Sequence, residues 1–122
     1  MAIIQNPTID MSLPKGHICI SGYANNYSPE VFFQPYFQAL ENYLSNPKKV
    51  TVFDISLEAL NTSSIFLLMK LLKLTESIPE KSGKVLVRWF WREDTYYMKE
   101  YGEDFKAILN IPVNIIKQDI QA

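Results

Sequence analysis

The sequence predicts an α/β domain in which a mixed, mostly parallel sheet of five strands packs with about three helices. Three observations carry that expectation. Segments with period-two alternation or β-branched runs trade places with segments whose apolar residues recur every three to four positions, in the order strand, strand, helix, strand, helix, strand, helix, strand. The 122 residues suffice for one core but not for two ordinary ones, so residues 1–122 are expected to form a single domain. Apolar residues make up 48% of the chain and charged ones 20%, the composition of a packed domain and not of a disordered segment.

The first strand is expected in AIIQNPTI, which is short and β-branched but interrupted by Pro7, and so suits a sheet edge. HICISG alternates, placing His17, Cys19 and Ser21 on one face and Ile18 and Ile20 on the other. The spacing of Phe33, Phe37, Leu40 and Leu44 predicts a helix from Pro29 to Leu44, with Ser28 able to cap it and Pro35 expected to kink it or shift its start. Its aromatic residues fall at helical spacing and are assigned to the core. KKVTVFDISL reads as a buried strand with Thr51, Phe53 and Ile55 on one face and Val50, Val52 and Asp54 on the other. The next helix carries Ile65, Leu68, Met69, Leu72 and Ile78 at helical intervals, with Lys70, Lys73 and Glu76 opposite. KVLVRWFWR is the fourth strand; EDTYYMKEYGEDFKAIL gives helix in one or two pieces, with Asp94 as its cap and Gly102 as a weak point; IPVNIIK is the last strand.

Composition also removes function classes. The net charge is −1 and the basic residues are scattered, which argues against nucleic acid and anionic membranes as partners. Cys19 is the sole cysteine and His17 the sole histidine, so neither an internal disulfide nor a usual four-ligand zinc site is expected. No apolar stretch is long enough for a membrane span, and without an export signal the expected location is the cytoplasm. Gly16, Gly22, Gly83 and Gly102 are too far apart for a nucleotide-binding fingerprint, so no cofactor is expected.

What remains is Asn61-Thr62-Ser63-Ser64, a hydroxyl-rich step between an apolar strand and an apolar helix. It has a purely structural reading as a helix cap, worth about 1 kcal/mol. It has a functional one too, because a helix start offers free N–H donors and partial positive charge to a phosphate on Thr62, Ser63 or Ser64. A small hydrolase using Ser63 or Thr62 with His17 is the rival from another class, although the chain has no Gly-x-Ser-x-Gly elbow. The pairs Asp54 with Glu58 and Glu93 with Asp94 are weaker candidates for acid–base work.

FDISLEALNTSSIFLLMKLL, followed by GKVLVRWFWREDTYYMKEYGEDFKAILNIPVNII, resembles the SiaC-type regulatory phosphoproteins, and the likeness extends upstream through SGYANNYSPEVFFQPYFQALENYL. The resemblance covers roughly residues 18–116. It implies a fold like that of STAS domains, the anti-sigma-factor antagonists, with Thr62 as the phosphoacceptor and Asn61, Thr62, Ser63 and Ser64 as the partner-binding region. It also implies a non-enzymatic switch, phosphorylated by a cognate serine/threonine kinase and reset by a PP2C-type phosphatase. The unphosphorylated form would bind and activate a diguanylate cyclase in cyclic-di-GMP and biofilm signalling. Two places depart from the family pattern: Ala59 and Leu60 stand where aromatic residues commonly precede the Asn, and Arg92, Tyr96 and Tyr97 interrupt a usually more acidic run.

Overall fold

A computed structural model describes residues 4–120. The eight elements occur in the expected order: β1 (Thr8–Ser12), β2 (His17–Ala24), α1 (Glu30–Leu44), β3 (Val50–Leu60), α2 (Thr62–Leu74), β4 (Lys84–Trp91), α3 (Tyr96–Ile108) and β5 (Val113–Lys117). The sheet order is β1-β2-β3-β4-β5; β1 runs antiparallel to β2 and every other neighbouring pair is parallel. Each parallel step moves to the next strand on the same side. Crossovers of the usual right hand then return α1, α2 and α3 to one face of the sheet, and the other face carries none of the three.

Side-chain alternation fits that division. Ile18, Ile20, Thr51, Phe53, Ile55, Leu57, Val85, Val87, Trp89 and Val113 are buried on the helix side. They pack with Leu40 and Tyr43 of α1, Leu68, Leu71 and Leu72 of α2, and Met98 and Phe105 of α3. Val50, expected on the opposite face of β3, is half exposed, as that face requires. Buried Thr51 is satisfied by the Tyr43 hydroxyl at 2.7 Å, which ties α1 to β3 through a polar contact inside the core.

Several local expectations need correction. Ala2 and Ile3 of the expected first strand lie outside the described residues, and residues 4–7 are not strand; pairing starts at Thr8, after Pro7, and continues to Ser12 opposite His17. Pro7 has no N–H for a ladder, and the segment before it is instead tied to Asn25, which donates from its backbone to the Gln5 carbonyl and accepts the Gln5 N–H on its side chain. Ser28 does not cap α1, whose N-cap is Pro29. The Ser28 N–H donates to the Asn26 side chain, closing a local turn. α1 is continuous through Pro35, which lies in its second turn and forfeits one intrahelical bond. Asp94 does not cap α3; its carboxylate accepts from Arg92 Nε at 2.9 Å and Thr95 stands at the N-cap.

Gly102 is no break: α3 runs unbroken through it, and it is buried where α3 crosses β4. A Cβ there would lie 2.5 Å from Trp89 Cδ1. The aromatic residues of α1 divide: Phe33 and Tyr43 are buried and Phe37 packs at the core edge, while Phe32 stacks with Phe33 and Tyr36.

Candidate functional site

The carboxyl ends of the parallel strands deliver the chain to the starts of all three helices, and Asn61-Thr62-Ser63-Ser64 lies at the middle one. Asn61 is the N-cap, with extended backbone (φ −91°, ψ 172°) and a side-chain oxygen that accepts from the Ser64 N–H at 2.9 Å. Its amide donates to the Asn26 carbonyl at 3.0 Å, and its backbone N–H to the Ala24 carbonyl. Asn61 therefore fastens the start of α2 to the end of β2. Asn61→Ala removes both side-chain bonds and is expected to lower stability by about 1–2 kcal/mol, measured as a shift in the urea midpoint. A loss well below that range would show that another group takes over the cap.

With Asn61 in the cap, the Thr62 hydroxyl is not needed for it. Thr62 is exposed at the first helical position, Ser63 is half-buried, and Ser64 is 1% exposed with a hydroxyl that has no hydrogen-bond partner among the described residues. The N–H groups of Thr62 and Ser63 precede any intrahelical acceptor, and no acidic residue occupies the first turn of α2. That end of the helix is a place where a phosphate on Thr62 meets donors and a favourable dipole.

Large apolar side chains lie exposed near this helix start. Phe66, one turn after Thr62, is 65% exposed with Lys70 above its ring, and Val31 in the first turn of α1 is 81% exposed. Val31 also lines a groove of about 630 Å³ between α1 and α2, floored by Phe37, Leu67 and Leu74 and rimmed by Glu30, Glu41, Lys70 and Lys73. Phe66 has no part in the expectations drawn from the sequence. Its signal was present: an aromatic residue standing off the stripe of Ile65, Leu68, Met69 and Leu72 has no core to enter.

At the two departures from the family pattern, the residues present are held in place by the fold. Leu60 is buried and Ala59 half-buried, so both finish β3 from within. Arg92 donates to Glu58 at 2.6 Å as well as to Asp94, and the Tyr97 hydroxyl donates to the Glu58 carbonyl at 2.6 Å. The hydrogen bonds that Arg92 donates to Glu58 and then to Asp94 raise its guanidinium further above its already high ordinary value, fixing its charge. Burial, reinforced by Glu58, raises the Tyr97 phenol.

The rival catalytic arrangements are not assembled. His17 lies opposite Val52, at the other end of β3 from Asn61, and eight residues of strand separate those levels by about 26 Å. His17 therefore cannot serve Ser63 or Thr62 as a base. Asp54 and Glu58 do not pair with each other: Glu58 meets Arg92, while Asp54 accepts from Arg88 through Nε and Nη2 and contacts His17 Nε2 at 2.7 Å. Glu93 is bonded to Lys117 and Asp94 to Arg92.

Burial by itself would raise the Asp54 carboxyl, but the hydrogen bonds from Arg88 and His17 outweigh it and leave the group below its ordinary value. Its stabilising contribution is thus complete above the ordinary carboxylate value of about 3.9 and is lost as pH falls from there through the lower folded value. Asp54→Asn is expected to flatten the fall in stability below about pH 4, read from urea midpoints across that range. Parallel profiles for variant and parent would overturn this.

The family model for "SiaC family regulatory phosphoprotein" matches residues 2–118. Among solved structures, the chain is similar to one in the complex of the diguanylate cyclase SiaD with its activator SiaC from Pseudomonas aeruginosa, at TM-score 0.85 and 23% identity over 96% of each chain. It is also similar to SiaC of Pseudomonas aeruginosa, at TM-score 0.82 and 22% identity over 97% of this chain and 95% of that one. Apo-SiaC from the same organism gives a TM-score of 0.81 and 24% identity over 93% of each. No curated protein matches the sequence. The structural likenesses agree on a five-stranded, mostly parallel sheet with three helices, and the family match spans nearly the whole chain; the chain belongs to the SiaC family of regulatory phosphoproteins.

Proposed function

We propose that this chain is a partner switch controlled by phosphorylation of Thr62. In this reading a cognate serine/threonine kinase adds the phosphate, a PP2C-type phosphatase removes it, and the unphosphorylated form binds and activates a diguanylate cyclase, feeding cyclic-di-GMP and biofilm signalling. Asn61, Thr62, Ser63 and Ser64 form the contact region: Thr62 is the acceptor, Ser63 lies beside it, and Asn61 and buried Ser64 shape the helix start. The chain acts by binding and not by catalysis.

The observation that carries the reading is the exposure of Thr62 at the start of a helix that Asn61 caps without it. The acceptor hydroxyl is available, and modifying it leaves the cap intact. Family membership supplies the regulatory phosphoprotein class, and the activator–cyclase complex of the similar Pseudomonas aeruginosa structure supports the choice of effector. A phosphate there brings roughly two negative charges and several strong acceptor oxygens beside exposed Phe66. The helix gains a ligand for its free N–H groups while an apolar contact with a partner loses its desolvated surface.

The test is peptide mass spectrometry on protein isolated from its native cells with phosphatase inhibitors present, beside a Thr62→Ala control. A phosphate on Thr62 that is missing from the control is the expected result. Phosphate found only on another residue, or no modification under any growth condition, overturns the assignment.

A further inference from the structure

The geometry points to a zinc site on the helix-free face of the sheet, with His17, Cys19 and Asp54 as its three protein ligands. Strand pairing creates the site. Asp10, Cys19, Asp54, Arg88 and Asn114 form one row across all five strands, and His17 precedes Cys19 by two residues on the same strand and face. The ligands are therefore held by regular backbone in the middle of a sheet.

Their donor atoms converge. His17 Nε2 lies 2.7 Å from Asp54 Oδ2 and 3.6 Å from Cys19 Sγ, and the three atoms all fall within 4.8 Å of one another. Zinc–ligand bonds of about 2.0–2.3 Å place the ligand atoms of a tetrahedral ion roughly 3.3–3.6 Å apart. The Cys19–His17 separation already fits, and the His17–Asp54 contact has to open by about half an ångström. A nucleophilic relay would use one imidazole nitrogen for the thiol and the other for the carboxylate. Here Nε2 faces both groups, which is an arrangement of donors around a point and not a relay. The mixed nitrogen, sulfur and oxygen set suits zinc, and all three residues are half-buried, leaving the fourth position to water.

Arg88 is the built-in competitor. It donates to Asp54 Oδ1 at 2.5 Å through Nε and to Oδ2 at 2.6 Å through Nη2, so an ion at Oδ2 displaces the second of these bonds along with the His17 contact. As the metal bonds form, the Cys19 thiol proton leaves to solvent, and the Nε2 proton that His17 shares with Asp54 is also given up, with Nδ1 keeping the proton of the neutral ring. Arg88 itself is partly exposed and has room to withdraw. Zinc binding would thus replace the Nη2 and His17 contacts at Oδ2 and leave the guanidinium held to Asp54 through Nε alone, loosened on the open face.

The experiment is titration of the untagged, reduced full chain with Co²⁺ as a spectroscopic probe, followed by Zn²⁺. The expected result is one ion per chain, with a near-ultraviolet sulfur-to-cobalt charge-transfer band that Zn²⁺ bleaches and Cys19→Ser removes. His17→Ala and Asp54→Asn should weaken binding at least about tenfold, with circular dichroism confirming that each variant is folded. Arg88→Gln, which deletes no ligand, should tighten binding several-fold. Absence of the band in the parent chain at stoichiometric Co²⁺, or its persistence in Cys19→Ser, overturns the site. Unchanged or weaker binding in Arg88→Gln overturns the competition.

Discussion

Thr62→Glu is expected to weaken binding to the diguanylate cyclase proposed as partner at least about tenfold, a loss of roughly 1.4 kcal/mol or more, while Thr62→Ala stays within about threefold of the parent. The asymmetry follows from the helix start. Because Asn61 caps α2, the alanine variant removes a methyl and a hydroxyl from an exposed position and little else. Glutamate places a negative charge at the positive end of α2, where the helix tolerates it and a docked apolar surface does not. Thermal midpoints of the two variants should accordingly lie close together although their affinities differ. Isothermal titration with a purified cyclase would measure the affinities. Equal affinities would indicate a constitutive interaction domain. A glutamate variant that loses binding only because it has unfolded would be exposed by its midpoint.

Gly102→Ala is expected to destabilise the fold by about 2 kcal/mol, although helix propensity alone predicts a gain of nearly 1 kcal/mol. The added Cβ would stand 2.5 Å from Trp89 Cδ1 and 2.8 Å from Nε1. The indole cannot step aside cheaply: it is 1% exposed, donates from Nε1 to the Met98 carbonyl at 2.7 Å, and stacks on Phe105 with ring centres 4.7 Å apart. Trp89 is thereby seated by α3 at three places, and Gly102 is what lets the helix approach. For a chain of this size the loss corresponds to a fall of roughly 8 °C in the thermal midpoint. A rise in midpoint would mean that the indole relaxes and that propensity governs the position.

The order of elements was legible because it depends on local periodicity, which tertiary contacts did not override. The alternation of His17 to Ser21 and the faces of β3 appear as expected, whereas α2 buries Leu67 and Leu71 beside Leu68 and Leu72 of the expected stripe, with Ile65 and Met69 half-buried and Ile78 beyond its end. Less was legible where one residue type can play several local roles. Ser28, Asp94 and Gly102 each carry a cap or break signal, and each is diverted by a neighbour: Asn26, Arg92 and Trp89 respectively. The polar step at Asn61 was recognisable as a helix start, but which of its four residues capped and which stayed free was not.

The sequence by itself determined the fold class, the succession of strands and helices, and the position of Thr62 at the entrance to a helix. All of these follow from patterns within a dozen residues of one another. Tertiary structure alone decided that every helix covers one face of the sheet, that Asn61 leaves Thr62 exposed, that His17 meets Asp54 at the far end of β3, and that Gly102 makes room for Trp89. Strand pairing and close packing join residues dozens of positions apart, and no local preference encodes which side chains will meet.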